Sequence, residues 1–324
     1  LAEWLFEAGI GEDRAALVDD GAIVEAIVEL PDPLRLGTVA EGRLASILVP
    51  GKRGVVATEG GETMLEPLPR PLTEGQRLRV EIVREAIPER GRPKLPRARL
   101  TEAPPAPGPL LAERIGASPT ASLADALEAA GWSELLEEAT SGEIAFAGGA
   151  LRMSLTPAMT LFDVDGSLPA AELAIAGAAA AARAIRRFGI GGSIGIDLPT
   201  LASKAERNAA AAAVDALLPQ PFERTAVNGF GFLQIVRRRD RPSLPEILQA
   251  DPVGAAARAL LRLAERTAGA GARTLAAAPA VVARIEANPG WLDELARRTG
   301  APVALRAEAR LAISAGHVHA SFAS

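Results

Sequence analysis

The sequence predicts a multidomain chain of mixed α+β and α/β character. A small OB-type β-barrel is inserted near the N-terminus, followed by an α/β domain with a mixed sheet and a small C-terminal α+β domain. Three observations predict this. The 324 residues exceed one ordinary compact domain. Short apolar alternations across residues 36–100, punctuated by Gly42, Gly51, Gly54, Gly60, Gly61 and Gly75, suit several short strands of a small barrel. From residue 141 the pattern becomes β-α-β-α-β-β, which sets the first two crossover-linked strands parallel.

In chain order, residues 1–35 carry two strands over 14–30 around the hairpin turn Asp20-Gly21. The barrel follows at 36–100, with clean alternation in LRVEIV (78–83). Residues 101–140 hold a Pro-rich linker, APPAPGP (103–109), and a helix over 120–139. Within 141–245, strands are expected at 143–146 and 150–155 around Gly148-Gly149, and at 159–164 and 193–198. Helices are expected at 169–188 and 200–218, with a closing strand pair around Asn228-Gly229. Gly189, Gly191 and Gly192 read as a helix stop and turn rather than a phosphate loop. Residues 246–324 complete the C-terminal domain, whose helices are expected near 244–267, 279–286 and 290–299, with strands at 303–305 and 311–314. His317 and His319 fall in the tail beyond; they alternate, but no third ligand accompanies them.

The sequence has no cysteine, which excludes disulfides, thiolate zinc sites and cysteine nucleophiles and fits a reducing, cytoplasmic setting. No stretch reads as a signal peptide or membrane span, and the leading Leu1 fits a trimmed start. A net charge of −5 makes the whole chain a poor generic binder of polyanions. Charge is uneven, however. Residues 77–99 carry a local excess of +5, and Arg237, Arg238, Arg239 and Arg241 cluster around Asp240. Such patches are either nucleic-acid contacts or solvated strand edges.

The chemistry-bearing residues stand at strand ends. TLFDVDG (160–166) ends one strand with Asp163 and Asp165, and GID (195–197) ends the next with Asp197. A right-handed crossover sets such strands side by side, about 4.8 Å apart. Converging carboxylates call for a shared proton or a cation. Oxygen-only ligands favour Mg²⁺, Mn²⁺ or Ca²⁺, and a Mg²⁺ held by a few carboxylates can activate water and polarise a phosphoryl oxygen. Asp165 shares the face of Asp163 and could assist. The alternative is helix capping, because Asp165 and Asp197 each precede an expected helix.

Three ordered motifs carry a family resemblance. GGALRMSLTPAMTLFDVD (148–165), RFGIGGSIGID (187–197) and FGFLQIVRRRDRPSL (230–244) resemble the catalytic segment of the ribonuclease E/G family. GTVAEGR (37–43) and EGQRLRV (74–80) resemble its inserted RNA-binding barrel, and the strands before residue 35 its ribonuclease-H-like piece. The resemblance implies a cytoplasmic, Mg²⁺-dependent endoribonuclease that cleaves single-stranded RNA and leaves 5′-phosphate and 3′-hydroxyl ends. Asp163 and Asp197 match the family's metal-binding aspartates, and Asp165 stands where Asn is usual. The basic residues Arg92 and Lys94 on the barrel, and Arg237, Arg239 and Arg241 by the site, are expected to contact phosphates of single-stranded or structured RNA. Departures are equally specific. An acidic residue is replaced in Thr156-Pro157-Ala158, Thr200 stands for another, and most of the 5′-sensor segment is missing. The Cys-Pro-x-Cys zinc link is absent, so no zinc is expected and homodimerisation is left open. Val55-Val56 and Met64-Leu65 occupy the places of aromatic residues on the barrel. A non-catalytic RNA-binding descendant with residual metal binding is the alternative, and a purely structural scaffold a third reading.

Overall fold

A computed structural model describes residues 2–89, 91, 93–117, 125–269 and 271–321. The chain opens with an antiparallel sheet of β1 (Glu3–Ala8), β2 (Asp13–Asp19) and β3 (Ala22–Glu29). The expected β2–β3 turn is present, with Asp20 at φ 50° and Gly21 at φ 76°. Positive φ at both central residues matches the right-handed twist of the flanking strands. β1 precedes the expected hairpin; its sequence EWLFEA is half-exposed and bounded by Glu3 and Glu7, which weakens its apolar signal.

The barrel comprises β4 (Val39–Val49), β5 (Arg53–Thr58), β6 (Gly61–Leu65), β7 (Arg77–Arg84) and β8 (Arg97–Leu100). Its order is β4-β5-β6-β8-β7, and β7 pairs back onto β4 to close it. Alternation drives Leu44, Val56, Leu65, Val80, Ile82 and Ala98 inward. Gly42 is required where β4 and β5 close, since a Cβ there would lie 2.6 Å from the Ala57 carbonyl.

The extended linker leads to α1 (Leu111–Ile115), α2 (Ala126–Ala129) and α3 (Trp132–Ser141). The single helix expected over 120–139 is corrected, within the described residues, to two pieces split at Gly131. That residue is at φ 94°, a left-handed conformation that ends one helix before the next begins.

Next come β9 (Glu143–Phe146), β10 (Gly149–Leu155), β11 (Thr160–Gly166), α4 (Ala170–Arg187), β12 (Gly192–Asp197), α5 (Lys204–Leu217), β13 (Phe222–Arg224) and β14 (Phe232–Arg237). They build a six-stranded sheet in the order β13-β14-β12-β11-β10-β9. β11 and β12 are parallel neighbours, as the crossover predicts, and every other pair is antiparallel. Leu151, Met153, Phe162, Val164, Ile194, Ile196, Leu233 and Ile235 are buried on one face. α4 lies over that face and also packs on the first sheet, so one core joins its alanines to Ala16, Ile23, Ala26 and Val28. Small side chains permit this double contact; at Gly177 a Cβ would collide with Val164 on β11. Gly189, at φ 64°, stops α4, as expected of a helix stop.

The C-terminal part holds α6 (Leu244–Ala250), α7 (Pro252–Arg266), β15 (Arg273–Ala277), α8 (Pro279–Glu286), α9 (Pro289–Thr299), β16 (Val303–Ala307) and β17 (His317–Ala320). The helix expected over 244–267 is broken at Asp251-Pro252, where Asp251 accepts from the Gly254 N–H at 3.0 Å and so starts α7. β15 is the short central strand of a β16-β15-β17 sheet. The strand expected at 311–314 is a turn. Residues 317–320, expected as tail, form an edge strand, because β15 needs a second partner for its backbone groups. His317 and His319 are both exposed on it. Among the described residues no helix is long and apolar enough to cross a membrane.

Ion pairs join the parts. Glu12, between β1 and β2, is buried against Arg258 (2.8 Å) and Arg262 of α7. Glu89, at the barrel edge, accepts from Lys94 (2.5 Å) and from Arg239 (3.1 Å), and Arg239 also pairs with Glu246. Burial pushes the Glu89 carboxyl up, but the hydrogen bonds and charges of Lys94 and Arg239 together hold it below its ordinary value of 4.5. A depressed carboxyl stabilises the fold above its ordinary value and loses that contribution as pH falls through the folded value. Glu89→Gln should therefore unfold more easily than the parent at neutral pH. That difference should vanish in strong acid, as read by urea unfolding across pH.

Candidate functional site

The helices cover one face of the six-stranded sheet; on the other face Glu143, Arg152, Asp165 and Asp197 are exposed, while Leu161, Asp163 and Phe232 are partly buried. Across that other face runs one row of directly opposed residues: Glu143 on β9, Arg152 on β10, Asp163 on β11, Asp197 on β12 and Phe232 on β14. Period-2 alternation explains the row. Phe162, Val164 and Ile196 point into the core, so their neighbours Asp163 and Asp197 point out. The α4 crossover brings β11 and β12 together in the register that pairs Asp163 with Asp197.

Neither aspartate caps a helix. α4 begins at Ala170 after Pro169, with no side-chain cap. α5 begins four residues later than expected, at Lys204, and its cap is Ser203, which accepts from the Glu206 N–H at 3.1 Å. Glu206 returns the bond from the Ser203 N–H at 2.9 Å. Ser203 followed by Glu206 is a capping box that readily accounts for the shift. The capping alternative for Asp165 and Asp197 is thereby corrected. Among the described residues, no hydrogen bond or ion pair engages either the Asp163 or the Asp197 carboxylate.

Two carboxylates on neighbouring strands repel, but water around the exposed Asp197 screens the repulsion to well under about 1 kcal/mol. A divalent cation converts that repulsion into attraction. Among the described residues no three His, Cys, Asp or Glu side chains gather as a ligand group. The pair would thus supply two oxygen ligands and leave the remaining positions to water and substrate, the arrangement Mg²⁺ prefers. The donor set fits Mg²⁺ or Mn²⁺. Asp165 shares the face of Asp163 but is more exposed, and Arg152 Nη1 lies 3.8 Å from its Oδ2. Arg152 also donates from Nε to Glu143 at 3.1 Å. Arg152 and Phe232 were not singled out from the sequence, although the alternation in β10 already turns Arg152 to the face of Asp163.

The placement of Arg237, Arg239 and Arg241 beside the carboxylates is corrected. β14 runs antiparallel to β12, so Arg237 faces Gly192 while Phe232 faces Asp197. Five residues of strand separate the two ends, about 17 Å. Arg237 instead donates to the Ile190 carbonyl at 3.1 Å. Arg239 is held by Glu89 and Glu246. Burial lowers the pKa of Arg241, among the charges of Arg114, Glu25, Glu85 and Glu29. Lys94 is half-exposed and paired with Glu89, and Arg92 lies outside the described residues. A cavity of about 1070 Å³ between α3 and α7, walled by Trp132, Leu136, Leu260 and Leu263, includes no residue of the row.

The end of the row is fixed by a tight turn. Gly231 accepts from the Leu198 N–H at 3.2 Å, and its φ is 94°. A Cβ at Gly231 would run into the Leu198 carbonyl oxygen. Gly231→Ala should cost about 2 kcal/mol or more, from left-handed strain plus that collision, as read by urea unfolding.

Compared with known proteins, the chain matches no family model and no curated sequence.

Proposed function

We propose that this chain is a Mg²⁺-dependent endoribonuclease that cleaves single-stranded RNA in the cytoplasm, of the kind the ribonuclease E/G resemblance implies. One observation carries the reading: Asp163 and Asp197 oppose each other on adjacent parallel strands, with neither side chain used for capping or pairing. The open sheet face supports it, because an extended polynucleotide needs an uncovered surface rather than an enclosed pocket. The five-stranded barrel supports it as well, since barrels of the OB type bind oligonucleotides.

When bound, Mg²⁺ would polarise a phosphoryl oxygen and supply an activated water. Asp163 and Asp197 would hold it through carboxylate oxygens. Asp165, on the same face, would accept a proton or hydrogen bond from water at the rim. Arg152, beside Asp163 in the row, would orient a phosphate by paired N–H donation. Lys94, in the β7–β8 connection, would contact phosphates further along the strand. The Mg²⁺ requirement, with Mn²⁺ as a substitute, is tested with an end-labelled unstructured RNA. Cleavage should need the metal, leave 5′-phosphate ends, and be lost in Asp163→Asn and in Asp197→Asn. Unaltered cleavage in both variants would overturn the reading.

The second reading is RNA binding without cleavage. It is favoured by Arg152, a cation already opposite Asp163 that can offset carboxylate charge where a metal otherwise would. Salt-sensitive RNA binding with no cleavage in any divalent metal would establish it.

A further inference from the structure

Phe230 has 83% of its surface exposed, and among the described residues no other Phe or Trp side chain is exposed. A singly exposed apolar residue is ordinary. The place and stiffness of Phe230 are not. It sits at the tip of the turn into β14, at the edge of the sheet where the carboxylate row ends. The Asn228 side chain accepts from the Phe230 N–H at 2.9 Å and from the Phe232 N–H at 3.0 Å. The Asn228 backbone exchanges two more bonds, donating to the Phe232 carbonyl at 3.0 Å and accepting from the Gly231 N–H at 3.2 Å. Gly231 in turn holds the backbone of Leu198, the residue after Asp197. An uncovered ring is thus fixed on a braced turn, one hydrogen bond from the strand that carries Asp197.

The barrel provides no such ring. On β5 and β6, Val56 and Leu65 are fully buried, which turns their neighbours Val55 and Met64 outward as a register pair. The outer surface of these strands therefore carries no ring, and among the described residues the exposed Phe230 lies at the end of the carboxylate row.

We infer that Phe230 is a base-stacking platform that holds one unpaired nucleobase next to the phosphate presented to Asp163 and Asp197. The inference rests on the reading of this face as an RNA site and deepens it. A base must leave its own stack and pair to lie on Phe230, so the platform selects single-stranded substrate. Stacking tolerates every base, so selection is for an unpaired nucleotide and not for a sequence.

The test is binding of full-length protein to an unstructured RNA dodecamer in EDTA, by fluorescence anisotropy, with a single base-free nucleotide moved along the oligonucleotide. Parent protein should lose about tenfold in affinity when the base-free nucleotide reaches one position. Phe230→Ala should lose about tenfold on intact RNA and be indifferent to the base-free position. Phe230→Trp should bind at least as tightly as the parent, and Phe230→Leu between the two. The exposed ring makes no packing contribution, so all variants should keep the parental unfolding midpoint. If parent RNA binding is clear and Phe230→Ala matches it, the inference is overturned while the function stands; a ring that anchors another protein would give that result. If Phe230→Ala weakens binding but still responds to the base-free position as the parent does, the loss is indirect and the inference also fails. Absence of RNA binding in the parent would overturn both.

Discussion

Glu12→Ala should destabilise the protein by about 3–5 kcal/mol, the cost of removing one partner from a buried ion cluster. Glu12 and Arg258 are 5% and 4% exposed as side chains, and Arg262 is 11% exposed. One carboxylate between β1 and β2 pairs with two guanidinium groups of α7 and so links the first sheet to that helix. Arg258 Nη2 already lacks a hydrogen-bond partner. Burial pulls the pKa of Arg262 down, and Glu12 is the largest influence opposing that pull. Without Glu12, two desolvated cations face each other. Replacing the whole cluster by apolar residues, as in Glu12→Leu with Arg258→Met and Arg262→Leu, should recover most of the loss, because no orphaned charge remains. Guanidinium unfolding of the three proteins checks both statements. An unfolding midpoint of Glu12→Ala equal to that of the parent would show that the cluster does not hold α7 to the first sheet.

Asp163→Asn and Asp197→Asn should each lower RNA cleavage by about a hundredfold or more, since bound metal contributes several kcal/mol to charge stabilisation. The double variant should be little worse than either single one, because both carboxylates act through one ion. Stability should move by no more than about 0.5 kcal/mol, as neither side chain is buried or paired. A slight gain is expected without metal, from relieved repulsion. The pair Glu12 and Asp163 thus separates two kinds of carboxylate: one whose loss harms the fold and spares the chemistry, and one for which the reverse holds. Initial rates under single-turnover conditions, beside urea unfolding of the same samples, read both effects.

The barrel, the β11–α4–β12 crossover and the pairing of Asp163 with Asp197 were legible because each rests on local periodicity and on the handedness of one short connection. The start of α5 was not, because Asp197 and Ser203 are both good caps and only the reciprocal bond from Glu206 decides between them. The break at Asp251-Pro252 was signalled by the proline, which also permits a continuous kinked helix. β15 was missed because its residues RTLAA are a buried central strand with no alternation. The basic run at 237–241 misled for a physical reason: charge composition says nothing of which end of a strand faces which. Register turns Arg237 away from Asp197, and Glu89, Glu246 and Glu85 draw the neighbouring arginines inward. Arg152 and Phe230 acquire meaning only from the row and the turn that place them.

On the proposed function, Asp163 and Asp197 together form a divalent-cation site. Mn²⁺ titration followed by electron paramagnetic resonance tests it without reference to activity. The parent protein should bind one Mn²⁺ saturably, release it to excess Mg²⁺, and lose the site in Asp163→Asn/Asp197→Asn. A parent with no saturable site, or a double variant that retains it unchanged, would show that Asp163 and Asp197 do not hold a divalent cation.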